Sequence, residues 1–139
     1  MSEQGTLTLR TVADDGLRFE ARFPHGTIVM DSGPTATAAN PVQHLLTSIA
    51  ACEAMDVIGI LRKKRLQVSA YEVHMSGERA EDHPRRLTAI TFVHRLTGRG
   101  LQRAAVDEAL RLSLEKYCSV YHSIRRDIVV TNQVELVEG

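Results

Sequence analysis

The sequence predicts an α+β fold in which antiparallel strands surround one long helix. Three observations carry that expectation. Residues 40–65, NPVQHLLTSIAACEAMDVIGILRKKR, keep a helical pattern with no Gly or Pro between Pro41 and Gly59. Segments on both sides of it alternate with period two, as strands do. Residues 101–117 then return to a helical period, and the element order reads βββ-α-ββ-α-(α)-β. Runs of strands interrupted by only two or three helices point to helices segregated from an antiparallel sheet.

The long helix has clear ends. Asn40 suits the N-cap, Pro41 the first helical position, and Gln43 can reach back to the cap's N–H, a variant of the capping box. Arg62, Lys63, Lys64 and Arg65 suit the negative end of the helix dipole. Its first half is apolar on nearly every side, through Val42, Leu45, Leu46, Ile49, Ala50, Ala51, Ala54, Met55, Val57 and Ile58. A helix apolar all round is expected to be buried all round.

Taken in order, residues 5–11 alternate so that Leu7 and Leu9 share one face, expected to be buried. Asp14-Asp15-Gly16 signals a hairpin turn. Residues 17–23 return with Leu17, Phe19, Ala21 and Phe23 opposite Arg18, Glu20 and Arg22. Pro24-His25-Gly26 turns again into a third short strand at 27–31, completing a meander. Residues 32–40 are small and polar, a loop feeding the helix. After it come long strands at 68–77 and 87–97, the second placing Thr88, Ile90, Phe92, His94 and Leu96 on one side. The 101–117 helix stops at Cys118. A turn or short helix over 119–125, with Ser119 as its cap, and a strand at 127–137 close the chain.

One domain over residues 1–139 is expected from the length. Apolar residues make up 43%, charged residues 24%, and the formal net charge is +0, values of a soluble globular protein with no electrostatic case for nucleic acid or an anionic membrane. The polar start, residues 1–10, lacks the apolar core of a signal sequence. Gln43, His44, Glu53 and Asp56 interrupt the long helix as a membrane span. The expected location is the cytoplasm, where the two cysteines are inert core thiols, metal ligands or redox groups rather than a structural disulfide.

Cys118, at a helix-to-helix junction, can see amide N–H groups that favour a thiolate. Cys52 sits mid-helix in apolar company with Asp56 four residues on, so a cation would have to come from elsewhere in the fold.

The run NPVQHLLTSIAACEAMDV resembles the central helix of the OsmC/Ohr family, the osmotically inducible and organic hydroperoxide resistance proteins. KYCSV, at 116–120, resembles that family's second cysteine motif. Cysteine spacing and element order fit as well, so the resemblance covers essentially the whole chain. It implies an intertwined homodimer with two active sites at the subunit interface, and thiol-dependent reduction of hydroperoxides, organic ones above all. Carried over by motif, Cys52 resembles the peroxidatic cysteine and Cys118 the resolving one. A hydroperoxide would oxidise Cys52 to a sulfenic acid, Cys118 would close a disulfide on it, and a dithiol reductant would restore both. No cofactor or metal is implied.

The chain departs from the family pattern at the helix start. The family's N-P-E places there a Glu that pairs with the Arg activating the first cysteine; here Val42 stands in the Glu position and Gln43 follows. Gln43 can orient an Arg but cannot balance its charge. Arg18 and Arg22 share a strand face; either Arg18 is the counterpart of the activating Arg, or both are solvated strand residues.

Other constellations carry less. His44, Ser48 and Cys52 stand at i, i+4 steps, a spacing any helix provides, so a Cys/His acyl-transfer or hydrolase chemistry is an alternative on weak grounds. His122, four residues past Cys118, reads as a surface side chain. His74 and His94 could meet across paired strands, without a zinc-site spacing. RKKR at 62–65 reads as a solvated helix end. Tyr117 and Tyr121 flank Cys118 as pocket or core residues. A further alternative is a protein that binds an apolar ligand in the interface pocket with its cysteines idle.

Overall fold

A computed structural model describes residues 1–10 and 16–139. The chain divides into two compact units, Met1–Leu45 and Leu46–Gly139.

The first unit holds β1 (Thr6–Leu9), β2 (Phe19–Phe23) and β3 (Gly26–Met30), paired antiparallel in the order β1-β2-β3. Register sets Leu7 opposite Ala21 and Ala21 opposite Ile28, with Leu9, Phe19 and Met30 as the next row. The meander and its apolar rows are therefore as the alternation predicts. Asp14 and Asp15 of the first expected turn lie outside the described residues. Pro24-His25 is the second turn, with Gly26 already in β3. The expected burial does not hold: Leu7 is 62% exposed, and Leu9, Phe23 and Ile28 are exposed too. A single sheet layer cannot cover its own apolar face.

Helix α1 (Pro41–Lys63) starts as its sequence predicts. Asn40 N–H donates to Gln43 Oε1 at 2.8 Å, and Gln43 N–H to Asn40 Oδ1 at 2.9 Å, a reciprocal capping box. At the other end Arg65 takes a left-handed conformation, φ 60°, and Leu66 N–H returns to the Leu61 carbonyl. The expectation of burial all round fails here as well. The buried stripe is Ile49, Ala50, Glu53, Val57 and Leu61, while Met55 is 74% exposed. By length and composition α1 could cross a membrane, although the stripe it buries contains a carboxylate.

The second unit holds β4 (Ala70–Arg79), β5 (Leu87–Gly98) and β6 (Val129–Glu138), in the order β4-β5-β6. β4 pairs antiparallel with β5, but β6 runs parallel to β5, correcting the expectation of an all-antiparallel arrangement. The crossover through α2 (Arg103–Leu112) makes the parallel return possible. Gly98 ends β5 where a Cβ would collide with the Gln67 carbonyl, and Gly100 turns the chain at φ +67°. Ile90, Phe92, His94 and Leu96 of β5 are buried, the face predicted from alternation. The core joins Val57 and Leu61 of α1, Leu96 and Val134 of the sheet, and Val106, Ala109 and Leu110 of α2. The architecture is α+β: the second unit is a helical layer on a three-stranded sheet, and the first is a three-stranded meander.

The second helix is shorter than its sequence suggests. After Leu112 the chain widens into a π-helical turn, Ser113–Tyr117, closed by Cys118 N–H donating to the Ser113 carbonyl at 2.8 Å. A 3₁₀ turn, Tyr121–Ser123, follows Val120, so Ser119 is not its cap. Ser119 instead accepts Ser123 Oγ on its carbonyl at 2.7 Å.

Candidate redox site

Cys52 lies on the flank of α1, half-buried, and Cys118 at the close of the π-turn has no exposed surface. Both are free thiols. They are neighbours: Cys52 is among the groups that raise the Cys118 thiol. Cys52 Sγ also lies 4.0 Å from Ser119 Oγ. Two elements distant in sequence thus bring together the two cysteines that the motifs single out.

Burial dominates the electrostatics of Cys118. It pushes the thiol up to about 12, opposed by the Tyr121 backbone N–H and reinforced by the neighbouring Cys52 and Glu53. That N–H donates to Cys118 Sγ at 3.4 Å. The helix-junction amide expected from sequence is present, and desolvation outweighs it. The resting state of Cys118 is the thiol.

Ser113 ties the π-turn to α1, donating from Oγ to Asp56 Oδ2 at 2.8 Å. Asp56, expected to oppose a thiolate at Cys52, is thereby engaged away from it.

Beneath Cys52 the sheet carries a polar cluster that the sequence did not announce. Glu53 and His94 both have no exposed surface. His94 Nε2 lies 2.9 Å from Asn132 Oδ1 and 3.5 Å from Glu53 Oε2. Asn132 Nδ2 donates to Glu53 Oε1 at 3.3 Å, and Tyr71 OH bonds His94 Nδ1 at 2.8 Å. Burial, with the Glu53 charge added, pushes the Tyr71 phenol above its ordinary range. Signals existed: Glu53 interrupts an apolar run, and His94 alternates with Ile90, Phe92 and Leu96. What sequence lacked was the pairing of β5 with β6 that delivers Asn132.

Arg18 and Gln43 belong to the first unit and are engaged within it. Arg18 Nη1 donates to Thr37 Oγ1 at 2.6 Å, and Thr37 in turn donates to Asp31. The Thr37 backbone N–H holds the Asp31 carboxyl below its usual range, helped by the Ser32 N–H and the Thr37 hydroxyl. Gln43 completes the capping box described above.

The remaining constellations resolve as structure. The His44 ring bonds the Val29 carbonyl at 3.0 Å, and His122 the Leu114 carbonyl at 2.8 Å. Val73, not His74, faces His94 across β4 and β5. In RKKR, Lys64 pairs with Glu108 at 2.7 Å, while Arg62 and Arg65 line a cavity of about 620 Å³ that no cysteine touches. Tyr117 is exposed, and Tyr121 serves Cys118 through its backbone.

The OsmC-like protein family model matches residues 33–133, a span holding both cysteines and the Glu53 cluster. The chain is 38% identical over 124 residues to the protein YhfA of Escherichia coli K12, covering 88% of this chain and 92% of that one. Among solved structures, a hypothetical protein of Aquifex aeolicus superposes with a TM-score of 0.87 at 27% identity, covering 100% of this chain and 98% of its own. The organic hydroperoxide resistance protein OhrB of Bacillus subtilis shares the fold, with a TM-score of 0.64 at 17% identity over 95% of this chain and 98% of that one. With the family model spanning most of the chain and its two cysteine motifs joined in space, this protein belongs to the OsmC-like family.

Proposed function

We propose that this protein is a thiol-dependent hydroperoxide reductase of the cytoplasm, acting on organic hydroperoxides as a homodimer. The observation that carries the reading is the nearness of the Cys52 and Cys118 thiols, one half-buried and one sealed. Cys52 is the more accessible sulfur and takes the role of attacking the peroxide O–O bond. Its sulfenic acid then condenses with Cys118, and a dithiol reductant reopens the disulfide. The Bacillus subtilis protein that shares this fold is an organic hydroperoxide resistance protein, which points the same way.

Apolar surface supports self-association. Leu7 and Leu9 in the first unit and Met55 in the second are exposed in the single chain. Faces of this kind on a soluble protein mark interaction sites. Residues of a second copy are the occupants that the family fold suggests.

Turnover of cumene hydroperoxide with dithiothreitol tests the reading. Wild type is expected to consume peroxide, Cys52→Ser to lose turnover altogether, and Cys118→Ser to stop after one oxidation of Cys52. Full turnover by Cys52→Ser would sink the proposal. Tight binding of an apolar ligand without any thiol oxidation would favour the binding-protein alternative.

A further inference from the structure

A cavity of about 620 Å³ opens where α1 ends, β4 begins and β5 turns toward α2. Its lining comes wholly from the second unit. Arg62 and Arg65 reach it from the end of α1, and Arg99 from the turn after β5. Ile58, Leu66 and Val68 give it an apolar side. Close backbone contact brings the three cations to one place. Ser69 N–H donates to the Thr97 carbonyl at 2.8 Å, and the Ser69 hydroxyl donates to the same oxygen at 3.2 Å. At Gly98, the next residue, a Cβ would lie 2.4 Å from the Gln67 carbonyl, so glycine is what lets the segment after α1 lie against the end of β5.

The charges there are unbalanced. Among the described residues, no side-chain carboxylate lines the cavity. Arg62, Arg65 and Arg99 enter no ion pair among the described residues, whereas Arg86, Arg103, Arg111 and Arg125 each pair with a carboxylate. Glu138, beside the lining residue Gly139, accepts the Gly100 N–H at 3.4 Å, and Glu108 pairs with Lys64 at 2.7 Å. The helix dipole accounts for basic residues at the end of α1, but Arg99 lies outside that helix. Arg65 is also strained. It holds φ 60° just past the helix, where glycine is the relaxed choice, while Leu66 N–H closes the turn on the Leu61 carbonyl at 2.9 Å. Left-handed backbone at a non-glycine residue is the kind of strain that collects at binding sites.

We infer that this cavity binds a small organic anion, its phosphate or carboxylate head held by Arg62, Arg65 and Arg99 and its apolar part laid against Ile58, Leu66 and Val68. Guanidinium groups present paired N–H donors that match the oxygens of such a head, and three of them without counter-ions suit more than one negative charge. The volume is that of a small-molecule site. A bare inorganic ion would leave the apolar side uncovered. Among the described residues, no aromatic side chain lines the cavity to stack a base, which sets it apart from a nucleic-acid groove. Neither cysteine lines it, so the inference stands apart from the thiol chemistry proposed above.

Calorimetric titration of the full chain with phenyl phosphate, inorganic phosphate and phenol tests the assignment. Phenyl phosphate is expected to bind saturably with a dissociation constant below about 1 mM, inorganic phosphate about tenfold more weakly, and phenol not at all. Arg99→Ala should weaken phenyl phosphate about tenfold. Lys63→Ala removes a cation of the same helix end that does not line the cavity, and should leave binding within about twofold of wild type. Arg65→Gly separates binding from folding: relief of the left-handed strain is expected to keep or raise the melting temperature while affinity falls about tenfold. No saturable binding of phenyl phosphate would overturn the assignment. So would an equal loss in Lys63→Ala, unchanged affinity in Arg65→Gly, or phenol binding as tightly as its phosphate.

Discussion

Cys118 Sγ accepts the backbone N–H of Tyr121 at 3.4 Å while the residue itself has no exposed surface, and its thiol partner Cys52 is only half-buried. The two sulfurs therefore differ in access. Alkylation of the reduced protein by iodoacetamide at pH 7.5 is expected to label Cys52 about tenfold or more faster than Cys118. Peptide mass mapping at short times reads the ratio, and equal labelling would show that Cys118 is not sealed in solution.

The same burial ties stability to alkaline pH. A thiol raised from an ordinary 9.0 to about 12 keeps its proton in the folded chain at pH values where the unfolded chain loses it. Its stabilising contribution is complete below about pH 9 and is lost as pH climbs toward about 12. Urea melts of the reduced protein should show a falling midpoint over that window, and Cys118→Ala should flatten the fall. An unchanged slope in the variant would assign the alkaline loss to other groups.

The helix start offers a test that separates structure from chemistry. Removing the capping box by Gln43→Ala or Asn40→Ala should each cost about 1 kcal/mol, with the double variant costing less than the sum. If Gln43 serves only the cap, peroxide turnover per folded molecule is unchanged. A turnover loss well beyond the stability loss would instead give Gln43 a part in orienting the cation at the reactive cysteine.

Much of this was legible in the sequence because it depends on local rules. The capping box follows from Asn40, Pro41 and Gln43. The buried face of β5 follows from the alternation of Ile90, Phe92, His94 and Leu96. Both cysteines were singled out by their motifs. What escaped the reading depends on partners far apart in the chain. The parallel placement of β6 is set by the α2 crossover, and it alone brings Asn132 to Glu53. The π-turn that delivers Cys118 leaves no periodicity to find. Burial was overestimated at Leu7, Leu9 and Met55 because an apolar side chain states a preference for cover, not that its own chain supplies it.

That uncovered surface has its own consequence. Sedimentation equilibrium should give a dimer, and Met55→Glu or Leu7→Asp should shift it toward monomer by about tenfold or more in dissociation constant. A wild-type monomer at tens of micromolar would remove the case for an interface site.

The central claim is that Cys52 and Cys118 form a redox pair driven by hydroperoxide. It is tested most directly by a thiol count with intact mass on the reduced protein, before and after one equivalent of cumene hydroperoxide. Loss of both thiols with a mass decrease of about 2 Da per chain is the expected result. Two thiols still titratable, at unchanged mass, would contradict it.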